Sequence, residues 1–208
     1  MVSNTRPSRA DYYQVLAGTL PEDTLVVTSL GNASYLWAAT HDRPENFYLE
    51  DAMGLALPLA LGLATAQPDR QVIVVEGDGG LLMHMGTLVT VGAVAPANLT
   101  ILLIQNGVHA ASGGQALTNA GLDIAEIARA MHLKHAETVT SPDQFSAALP
   151  AALNRRGPTL LALATEPDLA PVTPPAMLDP VATKQRFMTA VKAPRYLSVF
   201  FGGGTLSG

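Results

Sequence analysis

Two polar side chains stand at the ends of the most apolar strand-like runs of this chain, each beside a glycine: Asp78 in "VIVVEGDGG" and Asn106 in "LTILLIQNG". Gly77 and Gly79 let the backbone turn sharply and approach an anion closely, while the helix that follows presents unpaired N–H groups and the positive end of its dipole. That combination favours a phosphate, which would repel Asp78 unless a cation lay between them. Magnesium fits, because it takes oxygen ligands in octahedral geometry and is commonly held by one or two protein groups plus phosphate oxygens. Asn106 offers an amide oxygen from the next loop, and the carbonyl of Val108 is a candidate third protein oxygen. The 28 positions from Asp78 to Asn106 accommodate one helix and one return strand, so both ligands meet at the same sheet edge.

The loop "TSLGNAS" ends an earlier strand and opens a helix, which makes Ser29, Gly31 and Asn32 further neighbours of the bound anion. Asp78 taken alone also reads as a helix cap; the presence of Asn106 turns the reading to metal. His84 is a packing or interface histidine within an expected helix, and His41, His132 and His135 have no ligand-like spacing. Glu50 and Asp51, read as adjacent strand residues, would point to opposite faces and make a poor acid/base pair. Arg155 and Arg156 read as a solvated helix end.

The elements that must position these groups alternate between strand-length apolar runs and longer helical patterns, the signature of a parallel sheet covered on both faces. The expected strands are Thr24 to Ser29, Gln71 to Glu76, Leu99 to Gln105, His135 to Val139 and Thr159 to Ala164, with a further edge strand at Phe47 to Leu49. Helices are expected at Asp11 to Leu16, Ser34 to Thr40, Gly54 to Ala66, Leu81 to Val94, Ile124 to His132 and Pro142 to Arg155, the last kinked or split by Pro150. After Thr165 the prolines impose an extended strap, until Asp179 and Pro180 supply a cap and first turn for a final helix ending near Lys192. The expected organisation is therefore an α/β domain over residues 1–165, a proline-rich strap and helix of the same domain over 166–192, and a tail over 193–208. The sheet is expected to be doubly wound and mostly parallel.

The chain has 208 residues, 48% hydrophobic and 14% charged, with a net charge of -5 and no cysteine. Sparse charge points to a surface covered by another subunit. The absence of basic blocks removes the electrostatic footprint for nucleic acid or an anionic membrane. The longest apolar run, Ala52 to Ala66, falls short of the roughly 20 residues that span a bilayer and reads as a buried helix. No apolar leader is evident at the N-terminus, and a cytoplasmic protein is the expectation.

"GDG" followed, after one helix and one strand, by "QNG" resembles the magnesium and diphosphate motif of thiamine diphosphate enzymes. The longer stretches "GDGGLLMHMGTLVTVG", "NGVHAASGGQALT" and "DPVATKQRFM" resemble phosphonopyruvate decarboxylase and the beta subunit of sulfopyruvate decarboxylase. The resemblance covers most of Leu25 to Val191. It implies the thiamine diphosphate-binding fold of the diphosphate-binding type, with Asp78, Asn106 and the Val108 carbonyl as magnesium ligands. Gly79 and Gly80 would then offer N–H groups to the diphosphate. "DAMG" places Met53 as the wedge that bends the cofactor, and Asp51, where many relatives have Gly, as the carbonyl donor to the aminopyrimidine. In the loop over the reaction centre His109, Ser112 and Gln115 are kept as catalytic candidates, with Ala110 where the family pattern "AHDSVGGQ" has Asp. His109 either shuttles a proton or binds the substrate's second anionic group.

Activation of this cofactor in the family relies on a glutamate from a pyrimidine-binding domain, and every motif here is of the diphosphate-binding type. The resemblance thus implies a lyase, a decarboxylase of small anionic 2-oxo acids, completed in a hetero-oligomer by a separate pyrimidine-binding alpha subunit that supplies the glutamate. The rivals are a carboligase subunit on the same cofactor, a non-catalytic anion- or nucleotide-binding module, and a subunit that has lost turnover. The nucleotide module lacks its G-x-G-x-x-G turn after the first strand, where "SLGNAS" stands.

Overall fold

A computed structural model describes residues 6–118, 121–167, 169–170, 172–173 and 179–191. Six strands form one parallel sheet: β1 (Leu25–Thr28), β2 (Asn46–Tyr48), β3 (Val72–Gly77), β4 (Leu99–Gln105), β7 (His135–Val139) and β8 (Thr159–Ala164). Their spatial order is β2-β1-β3-β4-β8-β7. Between β4 and β7 the two-residue strands β5 (Val108–His109) and β6 (Gln115–Ala116) pair antiparallel as a small separate ribbon.

The strands read as continuous apolar runs because both faces are buried. Side chains alternate between two cores. Val72, Val74, Ile101, Leu103, Leu160 and Ala162 enter one, while Ile73, Val75, Leu102, Ile104, Leu161 and Leu163 enter the other. The first core is closed by α3 (Ala56–Ala66), α5 (Gly86–Val94), α6 (Ile124–Ala130) and α8 (Pro180–Val191). The second is closed by α1 (Arg9–Thr19), α2 (Asn32–His41) and α7 (Pro142–Asn154). Each fully buried Leu, Ile or Val contributes roughly 1.5–3 kcal/mol, so this two-sided sheet holds the strand tips rigidly.

Local chemistry fixes the helix starts. Ser8 and Asp11 form a capping box at α1, with the Ser8 N–H donating to Asp11 Oδ2 at 2.8 Å. Ser141 caps α7 by accepting from the Gln144 N–H at 3.2 Å, with Pro142 in the first turn. At the last helix, Phe187 packs edge-on against Phe47 with ring centroids 5.2 Å apart, and Arg186 makes a two-pronged pair with Asp42 at 2.8 and 2.6 Å.

Several expectations are corrected. The single helix from Leu81 to Val94 is two: α4 (Asp78–Met83) and α5, separated at His84 and Met85. The His84 N–H closes α4 with a short bond to the Leu81 carbonyl at 3.0 Å, which lets α4 stay at the tip of β3 while α5 turns to pack against α3. His84 is thus an exposed residue at a break rather than a mid-helix one. Pro150 does not divide α7, which runs unbroken from Pro142 to Asn154. It sits on the exposed face, where water satisfies the carbonyl it leaves without an N–H partner. β2 ends at Tyr48, so Glu50 and Asp51 are loop residues, and both line one cavity instead of facing opposite ways. The end of the last helix at Lys192 and the tail lie outside the described residues. No described helix is long and apolar enough to cross a membrane.

Candidate active site

The chain passes from β1 outward to β2 and then back across β1 to β3, so the sheet reverses its winding between β1 and β3. A crevice opens at such a point beyond the carboxyl ends of the strands. Here it is a cleft of ≈ 290 Å³.

One wall is the loop after β1. Its Ser29 N–H donates to the Val75 carbonyl at 2.8 Å, and Ser34 donates its hydroxyl to the Ser29 carbonyl at 2.7 Å. Gly31 starts α2 with φ 66° and gives no side-chain cap, leaving the N–H groups of that helix's first turn without a side-chain partner. Asn32 lines the cleft but spends its amide on the strap: Nδ2 donates to the Ala170 carbonyl at 3.0 Å and Oδ1 accepts from Val172 N–H at 3.3 Å.

The opposite wall carries Gly77, Asp78, Gly79 and Gly80. The Asp78 carboxylate is buried; Oδ1 accepts from Gly79 N–H at 2.9 Å and Oδ2 from Gly107 N–H at 2.7 Å. That second bond joins the tip of β3 to the loop that begins at Asn106. Asn106 is buried as well, and its Oδ1 accepts from the Val108 N–H at 3.0 Å. Burial raises the Asp78 pKa above the ordinary carboxylate range, opposed by those N–H groups and by nearby His109. The carbonyls of Gly107 and His109 accept from Leu117 and Gly114 at 2.9 Å each, so the intervening Val108 carbonyl points the other way along the alternating strand.

Those oxygens fit magnesium better than a softer ion. Among the described residues no three His, Cys, Asp or Glu side chains gather as a metal site. What the cleft lining offers instead is one carboxylate, one amide oxygen and the Val108 carbonyl, a hard and sparse donor set that would leave coordination positions for phosphate oxygens and water.

Met53 lines the cleft from the turn Ala52–Leu55, closed by Leu55 N–H to the Ala52 carbonyl at 3.1 Å. Gly54 has φ 79°, and a Cβ there would lie 2.6 Å from the Gly80 carbonyl oxygen, so the Met53 turn and the glycine loop touch backbone to backbone. Asp51 has φ 51°, a conformation natural to Gly, and stands in a neighbouring cavity with Gly31, Tyr35 and Glu50. Glu50 has its pKa raised by burial and by Asp51. His109 packs on Gly79, where a Cβ would come within 2.9 Å of its ring. Ser112 lines the cleft, whereas Gln115 does not; Ser112 Oγ donates to Gln115 Oε1 at 3.1 Å, and the two stitch the exposed loop.

Two charged cleft residues escaped the sequence reading. Glu76 is fully buried and accepts from the Gly77 N–H at 3.0 Å with one oxygen, while Oε2 has no partner among the described residues. Burial raises its pKa, against the pull of the Ser29 hydroxyl and the N–H groups of Gly77, Ala56 and Leu57. An acid inside the apolar run "VIVVEG" was the available signal. Arg9 reaches the same cleft from the first residue of α1, and nothing in its local sequence separates it from a surface arginine.

The profile of the thiamine pyrophosphate enzyme C-terminal TPP binding domain matches residues 30–163. A phosphonopyruvate decarboxylase of Streptomyces viridochromogenes is 38% identical over 92% of this chain, which spans about half (48%) of that relative's length. The sulfopyruvate decarboxylase subunit beta of Methanocaldococcus jannaschii is 32% identical over 89% of the chain and 98% of the relative. Among solved structures, benzoylformate decarboxylase from Polynucleobacter necessarius superposes with a TM-score of 0.69 over 78% of this chain and 34% of its own, at 20% identity, which is a likeness of fold. With its switch-point cleft, its glycine loop and its paired Asp78 and Asn106 tips, the chain belongs to the thiamine pyrophosphate enzymes, as their C-terminal TPP-binding domain.

Proposed function

We propose that this chain is the diphosphate-binding component of a thiamine diphosphate- and magnesium-dependent 2-oxo acid decarboxylase, acting on a small substrate of the sulfopyruvate or phosphonopyruvate type. The observation that carries the reading is the bond from Asp78 to Gly107, which sets the carboxylate beside the Asn106 loop despite 29 residues of separation. In this reading Asp78, Asn106 and the Val108 carbonyl hold magnesium. Backbone N–H groups around Gly80, with the loop of Ser29, Gly31 and Asn32, hold the diphosphate, and Met53 supports the cofactor from below. Bound thiamine diphosphate supplies the electron sink that accepts the charge left as carbon dioxide departs.

The residues of the chain do the rest. The ribbon and loop from Val108 to Ala116 cover the cleft and reduce its water. His109, against Gly79, is placed to hold or move a proton at its imidazole, or to receive the substrate's second anionic group. Ser112 and Gln115 bond each other and fix that loop in place. The activating glutamate comes from a pyrimidine-binding alpha subunit, a reading supported by the near-complete match to a protein named as a beta subunit.

The test is reconstitution. The chain alone should be inactive toward sulfopyruvate and phosphonopyruvate and gain carbon dioxide release with thiamine diphosphate, magnesium and a co-purified pyrimidine-domain polypeptide. Full activity in isolation would remove the partner, and calorimetry showing no magnesium-dependent uptake of thiamine diphosphate by the reconstituted protein would remove the cofactor assignment.

A further inference from the structure

Among the described residues Arg9 is the one strongly basic side chain that lines the cleft, and it is set there firmly. The capping box fixes the start of α1, and Tyr12, one turn on, donates its hydroxyl to the Ala164 carbonyl at the tip of β8, at 3.1 Å. Arg9 is only 5% exposed, and its Nε and Nη1 have no hydrogen-bond partner among the described residues. The ion pairs found among those residues are Arg129 with Glu126 and Arg186 with Asp42, so neither Glu76 nor Asp78 neutralises it. A guanidinium does not shed its proton at any working pH, and a buried one without a counter-charge is costly. The position calls for an anion.

The cleft indicates which anion. Arg9 lines the cleft together with Ser29, Ala33 and Asn106, all buried, whereas the lining loop of His109 to Ser112 is half-buried to exposed. Asn32 and Ala33, in the uncapped first turn of the ten-residue helix α2, line the same cleft. A diphosphate carries more negative charge than a single divalent cation shared with Asp78 can balance. A planar two-pronged donor suits the oxygens of a terminal phosphoryl group.

We infer that Arg9 binds the terminal phosphoryl group of the cofactor's diphosphate, so that the first helix of the chain takes part in the site. This rests on the thiamine diphosphate reading and adds to it a residue that discriminates diphosphate from monophosphate.

The experiment compares the full chain with Arg9→Met and Arg9→Lys, titrating thiamine diphosphate, thiamine monophosphate and inorganic diphosphate, each with magnesium. Arg9→Met should weaken both diphosphates by about 10- to 100-fold, the scale of a lost charge-assisted contact. It should leave the monophosphate unchanged, and Arg9→Lys should recover part of the loss. Ligand-free Arg9→Met should melt no lower than the parent, since it removes an uncompensated buried charge. Equal diphosphate affinity in parent and Arg9→Met, or a large fall in ligand-free melting temperature with an unchanged diphosphate-to-monophosphate ratio, would overturn the inference and leave the cofactor assignment standing. A parent that binds inorganic diphosphate through Arg9 but no thiamine compound would do the reverse.

Discussion

The Oδ2 of Asp78 accepts the N–H of Gly107 at 2.7 Å, tying the end of β3 to the end of β4 through a carboxylate that is nearly sealed from solvent. Parallel pairing brings Gly77 opposite Ile104, so the two loops leave the sheet side by side and the acid needs only to reach sideways. One residue therefore has two tasks, holding a loop and presenting a charge. Asp78→Asn separates them, since the amide oxygen can keep one N–H partner while the negative charge is lost. Magnesium-dependent affinity for thiamine diphosphate should fall by more than the roughly 10- to 100-fold typical of a group that only supports a metal ligand. The melting temperature should fall modestly, because the new amide nitrogen faces the other N–H, an unsatisfied buried pair costing about 1–3 kcal/mol. Calorimetry with and without magnesium reads the first, and thermal unfolding the second.

Gly54 and Gly62 give a matched pair of tests on one segment. At Gly54 the added methyl of Gly54→Ala meets the Gly80 carbonyl at 2.6 Å and the His84 ring, on a backbone at φ 79°. The strain alone is of order 1–3 kcal/mol, and relief requires the Met53 turn to back away from the glycine loop. Gly62, inside α3 with nothing within 4 Å of its would-be Cβ, should stabilise on Gly62→Ala by about 0.5–1 kcal/mol. Denaturant midpoints should move in opposite directions, and cofactor affinity should fall only in the Gly54 variant.

Alkaline pH should loosen the contact between the first two helices. Tyr13 is buried, donates its hydroxyl to the Ala33 carbonyl at 3.1 Å, and has its pKa pushed up to about 12, mainly by burial. The unfolded chain releases this proton first, near 10, so the contribution of Tyr13 is intact below pH 10 and is lost progressively as pH climbs toward 12. Tyr13→Phe gives up the hydrogen bond, about 1 kcal/mol, and should flatten that part of the stability profile. Urea titrations at stepped alkaline pH for both proteins would show the difference; parallel slopes would refute it.

Pro150→Ala should stabilise the protein. The ring lies on the exposed side of an uninterrupted α7, and alanine restores a backbone donor to the Ser146 carbonyl. Up to about 3 kcal/mol separates proline from alanine in a helix interior. A thermal midpoint at or below the parent's would show that the proline serves packing instead.

Much of the sheet was legible because strand runs buried on both faces are unambiguous. β4, β7 and β8 lie at the residues expected, and β2 differs by one position, since Asn46 rather than Leu49 joins the ladder beside β1. Periodicity failed where tertiary contacts decide the local path. At the break, His84 stands against Gly54, where a Cβ would run into its ring, a contact between segments 30 residues apart that no helical pattern reports. Asp78 and Asn106 announced themselves by interrupting apolar runs beside glycine. Arg9 did not, because a capped, polar first turn looks the same whether it faces water or a cleft. Glu50 and Asp51 were placed on a strand because β2 is short, and a three-residue strand leaves almost no alternation to read.

Asn32 ties the strap at Ala170 and Val172 to the threshold of α2, in the same loop that contributes Ser29 to the cleft. The strap is in that sense a latch: lifting it would unmoor the amide and slacken the rim of the cleft around that turn. The rim of the cleft and the seating of this late segment are therefore mechanically joined, and a clip by protease near residue 169 would be felt more than a hundred positions upstream.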